Sequence, residues 1–133
     1  MTSLVTLLGR ILLALIFLLS ALSKIGDYTG TVAYMQGRGI PAAQFLLFIA
    51  VLVELSGALL LITGYKARVG ALLLAIYLVP VTYIFHYLPA FNAGLPTAEQ
   101  KIQMISLMKN LSIFGGLLLA FGNGVGKWTL GKE

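Results

Sequence analysis

Apolar residues crowd into four stretches, Leu4 to Ser23, Ala42 to Thr63, Val69 to Leu88 and Ile102 to Gly122, with short polar punctuation between them. Crossing a hydrocarbon core about 30 Å thick takes roughly 20 residues of helix. Each stretch is therefore long enough to span. Lipid offers backbone N–H and C=O groups no partner, so lipid-facing segments of this length must be helical. The pattern predicts an all-α fold: one integral membrane four-helix bundle over residues 1–133 as a single domain. Ala21-Leu22-Ser23 resembles a signal-cleavage site, but no basic residue precedes the apolar run and the run exceeds a usual signal core, so it is expected to stay as a span.

The connections refine the picture. Only Gly64 to Arg68 separates the second and third spans, which makes them antiparallel neighbours. In the longer connection from Lys24 to Pro41, Ile25, Tyr28, Val32 and Met35 recur at helical spacing until Gly37 and Gly39 end the pattern. This predicts a short interfacial amphipathic helix between spans one and two, the plainer alternative being an ordinary structured loop with an aromatic anchor. Before the fourth span, Thr97-Ala98-Glu99-Gln100 has the form of a capping box, so that helix starts outside the bilayer. Pro80 removes an amide hydrogen bond near Ile76 and predicts a kink in the third span.

Composition agrees with burial in lipid. Of the 133 residues 59% are apolar and 10% charged, with a mean hydropathy of +0.99. A soluble domain carries roughly 25% charge to cover its surface. There is no cysteine, which removes disulfides, thiolate metal sites and Cys-x-x-Cys chemistry. The net charge of +5 is scattered, so the basic tail at Lys127 and Lys132 reads as headgroup attraction, and no nucleic-acid partner is expected. With both termini and the Lys66/Arg68 turn on one side, that side is expected to be cytoplasmic.

Charges inside the spans carry the chemistry. Inserting one near a helix centre costs about 2.5–3.5 kcal/mol, so each must find a partner or water. From the presumed cytoplasmic side Arg10 lies roughly 9 Å deep and Glu54 roughly 14 Å, at 1.5 Å per residue. The expectation is a buried ladder Arg10, Glu54, Lys109, with His86, Tyr83 and Asn110 at its outer end. The lining faces expected are Ala50, Glu54, Gly57 and Ala58 on span two; Val79, Thr82, Tyr83 and His86 on span three; and Ser106, Lys109, Ser112, Gly116 and Ala120 on span four. Against this stand plainer uses. Arg10 and Lys109 can snorkel, an Arg10–Glu54 pair can serve helix register alone, and Tyr77, Tyr83, Tyr87 and Trp128 can form an aromatic belt. One histidine and no cysteine give a metal centre little support, and none is expected. The run Gly122 to Gly126 follows a membrane helix and precedes no strand-helix unit, so its expected role is to end that helix.

Several local texts occur together in order: Gly9-Arg10 with Phe17 and Ser23-Lys24; Tyr34-Met35-Gln36-Gly37-Arg38-Gly39-Ile40-Pro41; Glu54 with Gly57, Leu60 to Gly64 and Arg68; Lys109-Asn110-Leu111 with Gly115 to Leu118; and Gly124 to Leu130. In this spacing the chain resembles the DoxX family of small bacterial four-helix membrane proteins along nearly its whole length. It departs at Gly131, where an acidic residue is expected. The resemblance implies the cytoplasmic membrane as compartment and an association with quinone-coupled oxidoreductase assemblies. Without cysteines a thiol relay like that of vitamin K epoxide reductase is closed to this chain. The reading that follows is a protein whose bundle holds a quinone, a lipid or another amphipathic small molecule within a redox system supplied by a soluble or membrane partner. Whether it is itself an enzyme stays open. In that reading Glu54 accepts or relays a proton, Arg10 and Lys109 stabilise negative charge, and His86 with Tyr83 hydrogen-bonds a ring carbonyl. The alternative is a non-catalytic assembly, chaperone or scaffold subunit. Transport has less support, because four helices leave little room for alternating access unless the chain forms a homo-oligomer.

Overall fold

The computed structural model describes residues 2–124, 126 and 128–130. Its elements are α1 (Thr2–Gly26), α2 (Tyr28–Gly37), α3 (Ala43–Thr63), α4 (Ala67–Thr82), a π turn (Tyr83–Tyr87), the short α5 (Leu88–Ala90) and α6 (Thr97–Asn123). Four helices are long and apolar enough to cross a membrane: Ser3–Gly26, Ala43–Thr63, Ala67–Ala90 and Thr97–Asn123. They bracket the four spans expected from the sequence. Around the bundle α1 packs on α3, α3 on α4 and α4 on α6, while α1 and α6 meet only sparsely.

Small residues point in at the closest helix contacts, a few large ones such as Leu47, Leu61, Leu74 and Leu117 fill the rest of the core, and most other long apolar residues point out. Ala14, Ala21, Ala58 and Ala71 are fully buried, whereas Leu12, Ile16, Leu19 and Ile76 are exposed. Between lipid tails and a helix there is no hydrophobic preference, so close backbone approach decides which faces meet. The α3–α4 contact shows this most clearly. A Cβ on Gly70 would lie 2.9 Å from the Gly57 carbonyl oxygen and 2.7 Å from Leu60 Cβ. One on Gly57 would sit 2.5 Å from Leu74 Cγ. The hairpin is thus pinned near its turn by a pair of glycines.

The interfacial helix is present as α2. Asp27 caps it, its Oδ1 accepting from the Gly30 amide at 3.2 Å. Met35 is buried with Ala43, Leu47 and Val51, while Tyr28 and Val32 pack against the same cluster. Tyr34 stacks on Phe85 of the π turn, with ring centroids 5.7 Å apart. Thus α2 lies across one end of the bundle as a roof.

Three expectations need correction. Thr97 does not cap α6: Pro96 holds the N-cap position with no side-chain bond, and Gln100 Nε2 instead donates to the carbonyls of Asn92 and Leu95. The loop carbonyls, which lack helical partners, claim the amide that a capping box would use. The irregularity from Pro80 comes later than Ile76. Helix α4 runs through Pro80, and the departure is the π turn, where the Leu88 amide reaches back to the Tyr83 carbonyl. Pro80 and Pro89 both lack an amide donor, and a wider turn between them re-pairs the backbone. The lining face of α6 is rotated from the expected one by about one residue, near 100°. Leu107 and Leu117 are its buried positions, and Lys109 and Ser112 are exposed.

At the end opposite α2 the chain folds back on itself. Gly64 closes α3 with φ 79° and lies against Thr129, too close to admit a Cβ. The Leu130 amide donates to Thr63 O at 2.9 Å. The N-terminal part of α1, the α3–α4 turn and Trp128 to Leu130 therefore share one end of the bundle. Lys127 and Lys132 lie outside the described residues. The C-terminal glycines end α6 as expected, Gly124 taking φ 77°.

Replacing Gly70 by alanine is expected to lower stability by about 1–3 kcal/mol, because a backbone oxygen cannot move aside as a side chain can. Gly115→Ala, where the added methyl meets nothing within 4 Å, is the control and is expected to hold or raise stability, by up to about 1 kcal/mol, because alanine is the better helix former. Thermal unfolding in detergent, followed by circular dichroism, compares the two.

Candidate functional site

Glu54 sits in the middle of α3, is 3% exposed, and is the residue around which the site is built. Both of its carboxylate oxygens face Lys24, whose Nζ donates to Oε1 at 3.0 Å and to Oε2 at 3.1 Å. Oε1 also accepts from Ser20 Oγ at 3.0 Å and from the Tyr77 hydroxyl at 3.0 Å. Lys24 donates in turn to Ser20. One carboxylate thereby ties α1, α3 and α4 together. A buried charge of this kind persists only when paired and hydrogen-bonded, and each condition is met.

The expected ladder is not what forms. Arg10 is buried, but its Nη2 donates to the carbonyls of Ile62 at 3.2 Å and Trp128 at 2.7 Å. Ile62 lies eight residues beyond Glu54, about 12 Å along the helix, which is out of reach of a shared pair. The last carbonyls of a helix have no intrahelical donor. Arg10 supplies one at the negative end of α3, where a cation is favoured. Depth from the span ends put Arg10 and Glu54 near one another, yet the open carbonyls were the closer acceptors. Lys109 is exposed on the outward face of α6, with no hydrogen bond or ion pair among the described residues.

His86, Asn110 and Tyr83 divide likewise. His86 Nδ1 pairs with Gln103 Oε1 at 2.8 Å, and Asn110 Nδ2 donates to Thr82 Oγ1 at 3.0 Å, so both link the α4 side to α6. Tyr83 turns outward and stacks on Tyr87 at 5.4 Å. Of the expected α4 face, Thr82 and His86 point inward while Val79 and Tyr83 are exposed. On α3 the expected face holds: Glu54, Gly57 and Ala58 are buried and Ala50 is half-buried.

A cavity of about 540 Å³ connects these groups. Glu54, Lys24, Ser20 and Tyr77 form one polar wall, and His86 and Asn110 lie on its lining as well. Most of the rest is apolar, including Phe17, Met35, Leu47 and Ile113. Volume and lining suit a small-molecule site, which typically spans 300–1,000 Å³ with few polar groups. Arg10, Lys109 and Tyr83 do not border it.

Three members escape the sequence reading: Lys24, Ser20 and Tyr77. Lys24 falls just past the end of the first apolar window and looked like a loop charge. The usable signal was Ser20-x-x-x-Lys24, one helical turn that continues the buried face of Phe17. Tyr77 was assigned to the aromatic belt, although it lies eight residues inside its span, about 12 Å deep.

Comparison with known proteins adds the family context. The DoxX family model matches residues 5–87. The inner membrane protein YqjF of Escherichia coli (strain K12) is 30% identical over 126 residues, covering 95% of this chain and 88% of its own length. The inner membrane protein YphA of the same organism is 31% identical over 127 residues, covering 96% and 88% respectively. No solved structure matches the chain.

Removing one partner of the Glu54–Lys24 pair is expected to cost more than removing both. Lys24→Met alone leaves a buried carboxylate uncompensated, a loss of about 3 kcal/mol. Lys24→Met combined with Glu54→Leu should recover most of it. A double-mutant cycle by thermal unfolding, with Glu54→Leu as the other single variant, measures the coupling, and a double-variant loss equal to the sum of the two single losses would show that the pair is not coupled.

Proposed function

The chain belongs to the DoxX family and is a multi-pass protein of the bacterial inner membrane, and from that premise we propose that its cavity binds an amphipathic small molecule with a quinone-type head. The observation that carries this reading is one desolvated carboxylate–ammonium pair in the wall of an otherwise apolar cavity. Lys24 is part-exposed, and its three N–H groups rest on the two Glu54 oxygens and on Ser20, so a ring carbonyl would be received by taking the place of one of these acceptors. Glu54 is the group that holds or passes a proton at that oxygen, with Tyr77 and Ser20 fixing its orientation. His86 and Asn110 provide a second polar contact across the cavity. A quinone would supply electron-carrying capacity, and a soluble or membrane redox partner would exchange electrons with it. Arg10 and Lys109 have no part in this scheme, because neither reaches the cavity.

The test is equilibrium binding of decyl-benzoquinone to the protein in nanodiscs and in detergent. Saturable binding is expected, weakened about tenfold or more by Glu54→Gln, which corresponds to roughly 1.4 kcal/mol. Absence of saturable binding in both media refutes the reading.

A second reading, a non-catalytic assembly or chaperone subunit, draws on Lys109, a charge on the outward face of a membrane helix. It predicts that Lys109→Leu reduces recovery of a stoichiometric membrane partner without altering quinone binding.

For topology, the shared end carrying Lys66 and Arg68 is proposed to be cytoplasmic, since basic residues in a short loop favour that side. A green fluorescent protein fused after Glu133 should then fluoresce, and an alkaline phosphatase at the same place should be inactive. The opposite pattern reverses the assignment.

A further inference from the structure

A residue that lines a cavity and is also exposed marks where the cavity opens. Leu46 and Ile49 on α3 do both, at 41% and 40% exposure, and so does Pro80 on α4. They lie in the halves of α3 and α4 that lead away from the Gly57–Gly70 contact, where the hairpin is no longer held closed by glycines. Apart from Gln44, the other exposed residues of α3 up to Leu52 and of α4 from Ile76 to Val79 are apolar: Phe45, Phe48, Leu52, Ile76 and Val79. An opening bordered in this way faces acyl chains rather than water. Tyr34 of α2 also lines the cavity and is 50% exposed, so α2, held by Met35 in the core and by the Tyr34–Phe85 stack, covers that end only in part.

The depth of the carboxylate along α3 runs opposite to that of a surface site. Glu54 lies eleven residues from the start of α3, about 16 Å, while Leu46 and Ile49 lie about 5 and 9 Å from it. The Glu54 carboxylate is thus deeper along α3 than the apolar mouth, and Lys24 reaches it from the last turn of α1.

We propose that the ligand is a bilayer-dissolved amphiphile with a single compact polar head, which passes head first between α3 and α4, seats that head on the Glu54–Lys24 pair and leaves its tail in the surrounding lipid. This deepens the cavity reading and rests on it. The cavity sets the size of the head, and the open side places no upper limit on the tail.

Three probes test it in nanodiscs: benzoquinones bearing an ethyl, a decyl and a long polyprenyl tail. The two long-tailed probes are expected to bind at least as tightly as the ethyl one. Ile49→Trp, which narrows the mouth, should weaken them about tenfold while leaving ethyl-benzoquinone within about twofold. Retained ethyl binding reports an intact fold, and Leu46→Trp provides a second variant at the same opening. Leu59→Trp, on the lipid-facing side of α3, should leave all three unchanged. Ile16 of α1 also lines the cavity and is 50% exposed, so Ile16→Trp is the rival mouth. The proposal is overturned if wild type binds the ethyl probe alone, if the mouth variants affect all tails equally or none, or if Ile16→Trp produces the tail-selective loss. Failure of all three probes to bind wild type would instead refute the cavity reading itself.

Discussion

A carboxylate cannot remain ionised among hydrocarbon without cations and donors brought to it, and the arrangement around Glu54 meets that requirement. Lys24 and Ser20 come from α1 and Tyr77 from α4, so satisfying one charge determines how three helices register. In water such a cluster would compete with solvation, and its net contribution would be small. In lipid the alternative is an unpaired charge several kilocalories per mole less favourable, which makes the cluster decisive for structure whatever else it does. The same groups form the wall of the cavity. Stability and binding chemistry are therefore carried by the same atoms.

The second buried charge solves a different problem. Arg10 answers the unpaired carbonyls at the end of α3, together with the Gly64 amide on Leu60 O and the Leu130 amide on Thr63 O. Its hydrogen bonds to Ile62 O and Trp128 O go to backbone atoms, which no side-chain pattern in the sequence announces. The bundle thus has two polar centres with separate tasks: a side-chain cluster in its interior, and a backbone-capping site at the end where the tail folds back. Between them, Gly57 and Gly70 hold α3 against α4. Beyond that point the helices carry larger residues and Pro80, and the cavity occupies the space they leave.

Four spans, their helical state, the antiparallel α3–α4 hairpin and the interfacial helix were all legible in the sequence. Each depends on the length and period of apolar runs, and in lipid the backbone has no other way to satisfy its hydrogen bonds. Glu54 was legible as the central polar residue for the same reason: a charge nine residues inside an apolar run must be accommodated. Its partner was not. Arg10, Lys24 and Lys109 all lie on helices that could in principle reach it, and choosing among them depends on axial offset and rotation. Those are properties of packed helices, set by contacts such as Ala14 and Ala21 of α1 against their neighbours and Leu107 and Leu117 of α6. A rotation of one residue turned Lys109 outward and left Asn110 inward, as expected for it.

By itself, then, the sequence determined that this chain lives in a membrane, how many times it crosses and which charge lies deepest, because those follow from transfer of single segments into lipid. Tertiary structure alone decided that Lys24 rather than Arg10 neutralises Glu54, that Tyr77 leaves the aromatic belt for the interior, and that a cavity opens beside them. The physical reason is that pairing between helices is a competition among acceptors within a few ångströms of each cation, and that ranking exists only once the helices are in contact.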